Sequence, residues 1–85
     1  MTKRIIFGVH LTNRLTEAPA FQQLITQYGC NIKTRIGLHN VAGDVCATAG
    51  LILLEMYGDE AKTNELEQKL KAFEGIEFKK MVFSE

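Results

Sequence analysis

Five residues between positions 10 and 46 have the types and spacing that could form a ligand site. Two imidazoles and a thiol, from His10, His39 and Cys46, are the ligands that borderline divalent metals favour. Asp44 lies close to Cys46, and Arg35 could contact an anion. These residues predict a ligand site, with His39 and Cys46 as its ligands if it holds a metal. The competing interpretation is that the histidines pack at an interface, Cys46 is a small hydrophobe and Asp44 forms a turn.

The spacing along the strands bears on how these groups could meet. His10 and His39 are predicted to lie on the same face by parity, with one strand between them. Their backbones should then be about 10 Å apart, which is two strand spacings. A neighbouring subunit could complete such a site. Lys33 and Arg35 are predicted to share the exposed side of an edge strand, where they would protect the edge or contact an anion or nucleotide.

The sequence contains no set of nucleophile, base and orienting group, no glycine loop for a phosphate and no CxxC motif. Asp59 and Glu60 are adjacent acids, but they lie at a predicted helix start, where carboxylates complement the helix dipole. We therefore expect that the chain is not an enzyme.

Size and charge limit the classes of partner. The 85 residues are expected to form one domain, residues 1–85. The formal net charge of +0 argues against nucleic-acid binding by this chain alone. No apolar run approaches the roughly 20 residues of a membrane span. Cys30 and Cys46 are too few for a disulfide framework, and Cys30 is expected to be buried. These features favour a cytoplasmic protein without a cofactor, unless it binds a metal.

The apolar periodicity predicts an α+β fold. Strands are predicted over residues 3–11, 31–39, 48–57 and 76–83, and helices between Thr16 and Gly29 and over residues 60–73. The first helix could also begin one turn earlier, at Asn13. The last strand changes phase at Lys79 and Lys80, which suggests a β-bulge. The order βαββαβ predicts a ferredoxin-like, ACT-like sandwich: a four-stranded antiparallel sheet, strand order 4-1-3-2, with two helices on one face.

The face of the sheet without helices is predicted to be apolar. Its residues are Ile6, Gly8, Leu51, Leu53, Glu55 and Tyr57, together with His10 and Phe83. Such a surface is too apolar to stay in contact with water in a monomer. We therefore predict a homo-oligomer, a dimer or a tetramer, joined through this face. A groove for a small ligand or a partner protein is the alternative, and the two can coexist.

Three segments carry a resemblance to a known family: Arg35-Ile36-Gly37-Leu38-His39, Gly50-Leu51-Ile52-Leu53-Leu54-Glu55-Met56-Tyr57-Gly58-Asp59 and Gly75-Ile76-Glu77-Phe78-Lys79-Lys80-Met81-Val82-Phe83. With Asn13-Arg14 before the first helix, the whole chain resembles the iron-only hydrogenase system regulators, which are small ACT-like proteins. The resemblance implies an ACT-like fold, oligomers assembled through their sheets, and a regulatory role in transcription or in the hydrogenase system.

Two wider resemblances suggest effectors. ACT domains that bind amino acids commonly have a glycine in the turn after the first strand, where this chain has Thr12-Asn13-Arg14. The regulatory domain of the nickel-responsive repressor has two histidines and a cysteine around its second and third strands. His39 and Cys46 occupy similar places. The leading hypothesis is a homo-oligomeric regulatory protein that senses a small molecule; the alternatives are a metal-responsive sensor and an interaction module without a ligand.

Overall fold

A computed structural model of the chain describes residues 3–11, 14–38, 41–42, 45–46 and 50–84. The strands are β1 Lys3–Leu11, β2 Ile32–Leu38, β3 Val41–Ala42, β4 Val45–Cys46, β5 Leu51–Met56 and β6 Ile76–Ser84. The helices are α1 Arg14–Gln27 and α2 Glu60–Ala72, and a 3-10 turn, Gly29–Asn31, precedes β2.

Four strands form an antiparallel sheet in the order β2-β5-β1-β6. This is the predicted order 4-1-3-2 read from the other edge, so the ferredoxin-like α+β fold is confirmed. The short strands β3 and β4 pair with each other in a separate ladder, in the segment that the sequence predicts to be a connector. No helix of the described residues is long and apolar enough to cross a membrane.

The alternation of the strands builds the core on one face of the sheet. Phe7 pairs with Leu54 and Val9 with Ile52, and all four side chains are buried. The helices contribute Phe21 and Ile25 from α1 and Leu66 and Leu70 from α2. Each strand therefore places every second residue against the helices, as a half-covered antiparallel sheet requires.

The helix boundaries follow local chemistry in α2, and α1 begins at the earlier of its two predicted starts. Asp59 caps α2 by accepting a hydrogen bond from the backbone N–H of Ala61 at 2.9 Å. Gly75, with φ of 83°, adopts a left-handed conformation that lets the chain turn into β6. The predicted start at Thr16 is wrong, because α1 begins at Arg14 and Pro19 lies inside it. The helix begins directly after Asn13, which agrees with the alternative start predicted one turn earlier. Threonine signals a cap only when it is preceded by non-helical backbone, and spacing alone does not reveal that.

Two further sequence predictions are wrong. β6 pairs with β1 without a register shift from Ile76 to Ser84, so the bulge at Lys79 and Lys80 is absent from it. The register shift lies in β2, between Ile32 and Thr34. Cys30, expected to be buried, is an exposed free thiol in the 3-10 turn.

Candidate functional site

The sheet surface opposite the helices, which we call the open face, is the candidate site. The strand registers assign to it Arg4, Ile6, Gly8 and His10 of β1, Thr34, Ile36 and Leu38 of β2, Leu51, Leu53 and Glu55 of β5, and Glu77, Lys79, Met81 and Phe83 of β6. Residues directly opposite one another share a face, so the pairs form rows across the sheet. The central row joins Ile36, Leu53, Gly8 and Lys79.

The open face holds most of the residues predicted for it, and others that the sequence analysis missed. Ile6, Gly8, His10, Leu51, Leu53, Glu55 and Phe83 lie there as predicted. Tyr57 follows the end of β5 and is 63% exposed. The missed apolar residues are Ile36, Leu38 and Met81, exposed to 48%, 42% and 48%. The parity of β2 relative to β5 could have identified the first two, since Ile36 pairs with Leu53 and Leu38 with Leu51.

A shallow groove of about 440 Å³ crosses the middle of the open face. Its lining is mostly apolar and includes Ile6, Leu51, Leu53 and Met81 around Gly8. A Cβ atom built on Gly8 would lie 3.7 Å from Cδ2 of Leu53, at ordinary van der Waals distance. The depression therefore reflects the side chain that Gly8 lacks, and an apolar group from outside could occupy that space.

Charged side chains lie at both ends of the open face. At one end Glu55 contacts Nε of Arg4 at 3.3 Å and accepts a hydrogen bond from Oγ1 of Thr34 at 3.2 Å. At the other end Nδ1 of His10 lies 3.7 Å from Oε1 of Glu77, an ion pair when the imidazole is protonated. The apolar part of the open face is thus framed by polar groups of both signs.

The structure shows the positions of only some of the predicted ligand residues. His10 lies on the open face, whereas Arg35 pairs with Leu54 and lies on the helix side, where Nη2 donates to Oε1 of Gln22. The fold therefore does not bring Arg35 and His10 together. Arg35 is exposed, as predicted, because β2 is an edge strand.

The metal-site hypothesis depends on residues that the structure does not describe. His39 and Asp44 lie outside the described residues, and Cys46 is described only by its backbone pairing with Val41. Within the described ranges, no group of three or more histidine, cysteine, aspartate or glutamate side chains could hold a metal ion. A metal site at His39 and Cys46 stays a prediction.

The carboxylates with shifted pKa values belong to α2. Burial opposes ionisation of Glu67, but Lys80 at 2.9 Å and Lys71 at 3.0 Å outweigh it and lower the pKa of this carboxyl. A hydrogen bond from the Tyr28 hydroxyl, 2.8 Å long, lowers the pKa of Glu65, assisted by the charge of Lys62. These contacts join α2 to β6 and to the end of α1, so they stabilise the helix layer.

Comparison with known proteins supports the fold. No protein-family model matches the chain, and no curated protein matches it. It is similar to the solved structure of an uncharacterized protein from Thermotoga maritima, with a TM-score of 0.69, 20% sequence identity and 96% of each chain covered. At this identity the similarity shows the ferredoxin-like fold alone, and the family suggested by the sequence stays a prediction.

Proposed function

We propose that this protein is a small regulatory, ligand-sensing protein that works as a homo-oligomer, with the open face as the contact between copies. One observation carries the proposal. Four large apolar side chains on this face, Ile36, Leu38, Met81 and Phe83, are 42–50% exposed. They lie on the two edge strands, β2 and β6, with Ile6, Leu51 and Leu53 between them. An apolar face of this extent is typical of an interaction surface.

The size of the open face suits a second copy of the chain. Strands about 4.8 Å apart, with side chains on one face repeating about every 6.8 Å, give roughly 500 Å² for four strands and four rows. The accessible area of such a corrugated surface exceeds its flat area. It therefore approaches the roughly 600 Å² per partner at the low end of specific interfaces.

The charges of the open face favour self-association. Arg4 and Lys79 are balanced by Glu55 and Glu77, so two copies would meet without net repulsion. A two-fold axis places the same patch on both partners, which requires a self-complementary surface. Acidic groups of one copy can then face basic groups of the other, and the apolar rows can pack between them.

A ligand would regulate such an assembly by binding one state more tightly than another. Binding near the ends of the open face would change the contacts there and shift the balance between separate and associated chains. The regulatory role follows the resemblance to the hydrogenase system regulators. The proposal assigns no catalytic step, no membrane contact and no direct binding to nucleic acid.

Adjacent residues of β6 provide a matched test of the interface. Met81 and Val82 are 48% and 47% exposed, but Met81 pairs with Ile6 on the open face and Val82 with Ile5 on the helix side. We expect Met81→Asp to weaken self-association at least tenfold, measured by sedimentation equilibrium, because it buries a charge in the contact. Val82→Asp should leave association unchanged.

Two results would contradict the interface. One is a wild-type chain that sediments as a monomer at 100 μM, and the other is equal weakening by both variants. Circular dichroism of each variant checks that the fold is intact. Native mass spectrometry of protein purified without chelator would test ligand sensing, because it reports the subunit number and any retained molecule or metal.

A further inference from the structure

A second cavity, which we call the basic pocket, lies where β1 begins, β5 ends and α2 begins. Its volume is about 470 Å³. Three cationic side chains line it: Lys3, Arg4 and Lys33. They come from two strands, and Lys33 lies in β2 at the register shift between Ile32 and Thr34. The fold thus brings Lys33 to the adjacent pair Lys3 and Arg4, which is distant from it in the sequence.

The acids of the basic pocket do not neutralise it. Lys3 contacts Glu60 at 3.2 Å and Arg4 contacts Glu55 at 3.3 Å. Among the described residues, Lys33 has no ion-pair partner. The side chains of Lys3 and Glu60 are 50% and 59% exposed, so solvent screens this pair and its contribution is small. A stronger anion could therefore recruit Lys3 together with Lys33.

A buried hydroxyl group points independently to a polar ligand. Thr63 of α2 lines the basic pocket and is only 3% exposed. Its backbone N–H donates to the carbonyl oxygen of Asp59, but its hydroxyl makes no hydrogen bond within the described part of the chain. Buried hydroxyl groups are normally paired. An oxyanion in the basic pocket would accept the hydrogen bond that the protein does not provide.

We propose that the basic pocket binds the phosphate group of a small molecule. Three cations and a hydroxyl around one cavity match an oxyanion with more than one negative charge. The volume lies within the range of about 300–1,000 Å³ found for small-molecule sites. Tyr57 also lines the cavity and is 63% exposed, so its ring can stack on a planar group attached to the phosphate.

This inference rests on the proposed function, because it names the class of molecule that is sensed. Arg4 and Glu55 belong both to the basic pocket and to one end of the open face. A phosphate that attracts Arg4 would weaken its contact with Glu55 and alter the polar end of the open face. Ligand binding would thereby reach the contact between copies.

Isothermal titration of the full chain with AMP, adenosine and inorganic phosphate tests the proposal. We expect AMP to bind and adenosine to bind at least tenfold more weakly, and the affinity for AMP to fall when salt rises from 50 to 300 mM. Inorganic phosphate binding as tightly as AMP would assign the site to the free ion. Weaker binding of phosphate than of AMP would assign it to a nucleotide.

Three variants and one control variant test the site residue by residue. Lys33→Met should weaken binding of AMP and of phosphate at least fivefold, whereas Lys79→Met, a lysine of the open face, should not. Tyr57→Leu should weaken AMP alone. Thr63→Val keeps the shape of the side chain, so it should weaken binding about threefold and raise the melting temperature of the free protein, because a buried unpaired hydroxyl is removed.

The proposal is overturned if neither AMP nor phosphate binds at 10 mM, or if Lys33→Met binds AMP as the wild type does. The same titration on Met81→Asp separates this result from the proposed function. Met81 does not line the basic pocket, so this variant should bind AMP even when it no longer associates. If the wild type forms oligomers but binds neither AMP nor phosphate, the basic pocket is refuted and the proposed interface is unaffected.

Discussion

The two faces of the sheet are both apolar, yet only one is covered within the chain. Along β5 the residues alternate, so that Ile52, Leu54 and Met56 are buried while Leu51 and Leu53 are only partly buried. The helix-covered face obtains its stability from contacts inside one copy. The open face has the same type of side chains without an internal partner. This difference indicates that its hydrophobic residues serve contacts that a single chain cannot make.

Two adjacent leucines of β5, one on each face, test this comparison, and they give the largest expected effect on the free energy of unfolding. Leu54 is 0% exposed, so Leu54→Ala should lower the free energy of unfolding by about 2–5 kcal/mol through lost burial and a new cavity. Leu53→Ala should cost less than about 1 kcal/mol in dilute protein, because the side chain is already partly in water. Urea denaturation at low protein concentration measures both changes.

Protein concentration separates the two leucines further. If the open face joins copies, the cost of Leu53→Ala should grow as the concentration rises, because folding is linked to association. The cost of Leu54→Ala should not grow. A concentration-independent effect of Leu53→Ala would show that this side chain supports only the fold of a single copy.

The sequence was most informative in strands whose apolar residues alternate and whose apolar side is the side covered by the helices. In β1 and β5 the buried residues are also the apolar residues of one parity, so strand order and core could be predicted. In β6 they do not coincide. Phe78 faces the core, but Met81 and Phe83 lie on the open face and Lys80 reaches Glu67 of α2. When the apolar residues of a regular strand change from one face to the other, the sequence shows the same change of phase as a β-bulge. The sequence pattern therefore could not separate the two.

The candidate site was harder to predict, because it depends on contacts between distant segments. His10 was placed by its parity in β1. Arg35 could not be separated from His10 without the register of β2, which is set by its pairing with β5. The basic pocket requires Lys3, Lys33 and Thr63 to meet from three elements. The spacing of these residues along the sequence does not reveal that they lie around one cavity.

Two glutamates on opposite sides of the sheet allow a second comparison of the faces, with an expected effect on stability of intermediate size. The side chain of Glu67 is 8% exposed and paired with two lysines, whereas that of Glu77 on the open face is 60% exposed. Glu67→Gln should cost about 1–2 kcal/mol at pH 7, discounted for the exposure of its lysine partners. Glu77→Gln should cost less than about 0.5 kcal/mol.

The pH dependence gives the sign of this effect. The folded-state pKa of Glu67 is lowered from 4.5, so its contribution is fully present above that value and is lost as the pH falls through the folded pKa. The difference in unfolding free energy between wild type and Glu67→Gln should therefore shrink as the pH is lowered from 7 into the acidic range in urea titrations. The pKa of Glu65 is also lowered, but it is common to both proteins and cancels. A constant difference over this range would mean that Glu67 acts through packing and not through charge.

Gly8 gives the smallest expected effect and the sharpest separation of the two faces. A Cβ at this position meets only Cδ2 of Leu53 at 3.7 Å and the carbonyl oxygen of Lys79 at 3.9 Å, so alanine fits without strain. Because glycine in a strand is entropically costly, Gly8→Ala should stabilise the dilute chain by about 0.5 kcal/mol, measured by thermal denaturation.

The methyl group added by Gly8→Ala also fills the floor of the groove. If a second copy inserts a side chain there, the same substitution should weaken association severalfold in sedimentation equilibrium while the separate chain becomes more stable. Opposite signs for folding and association are expected only if the open face is an interface; unchanged association would place the contact elsewhere.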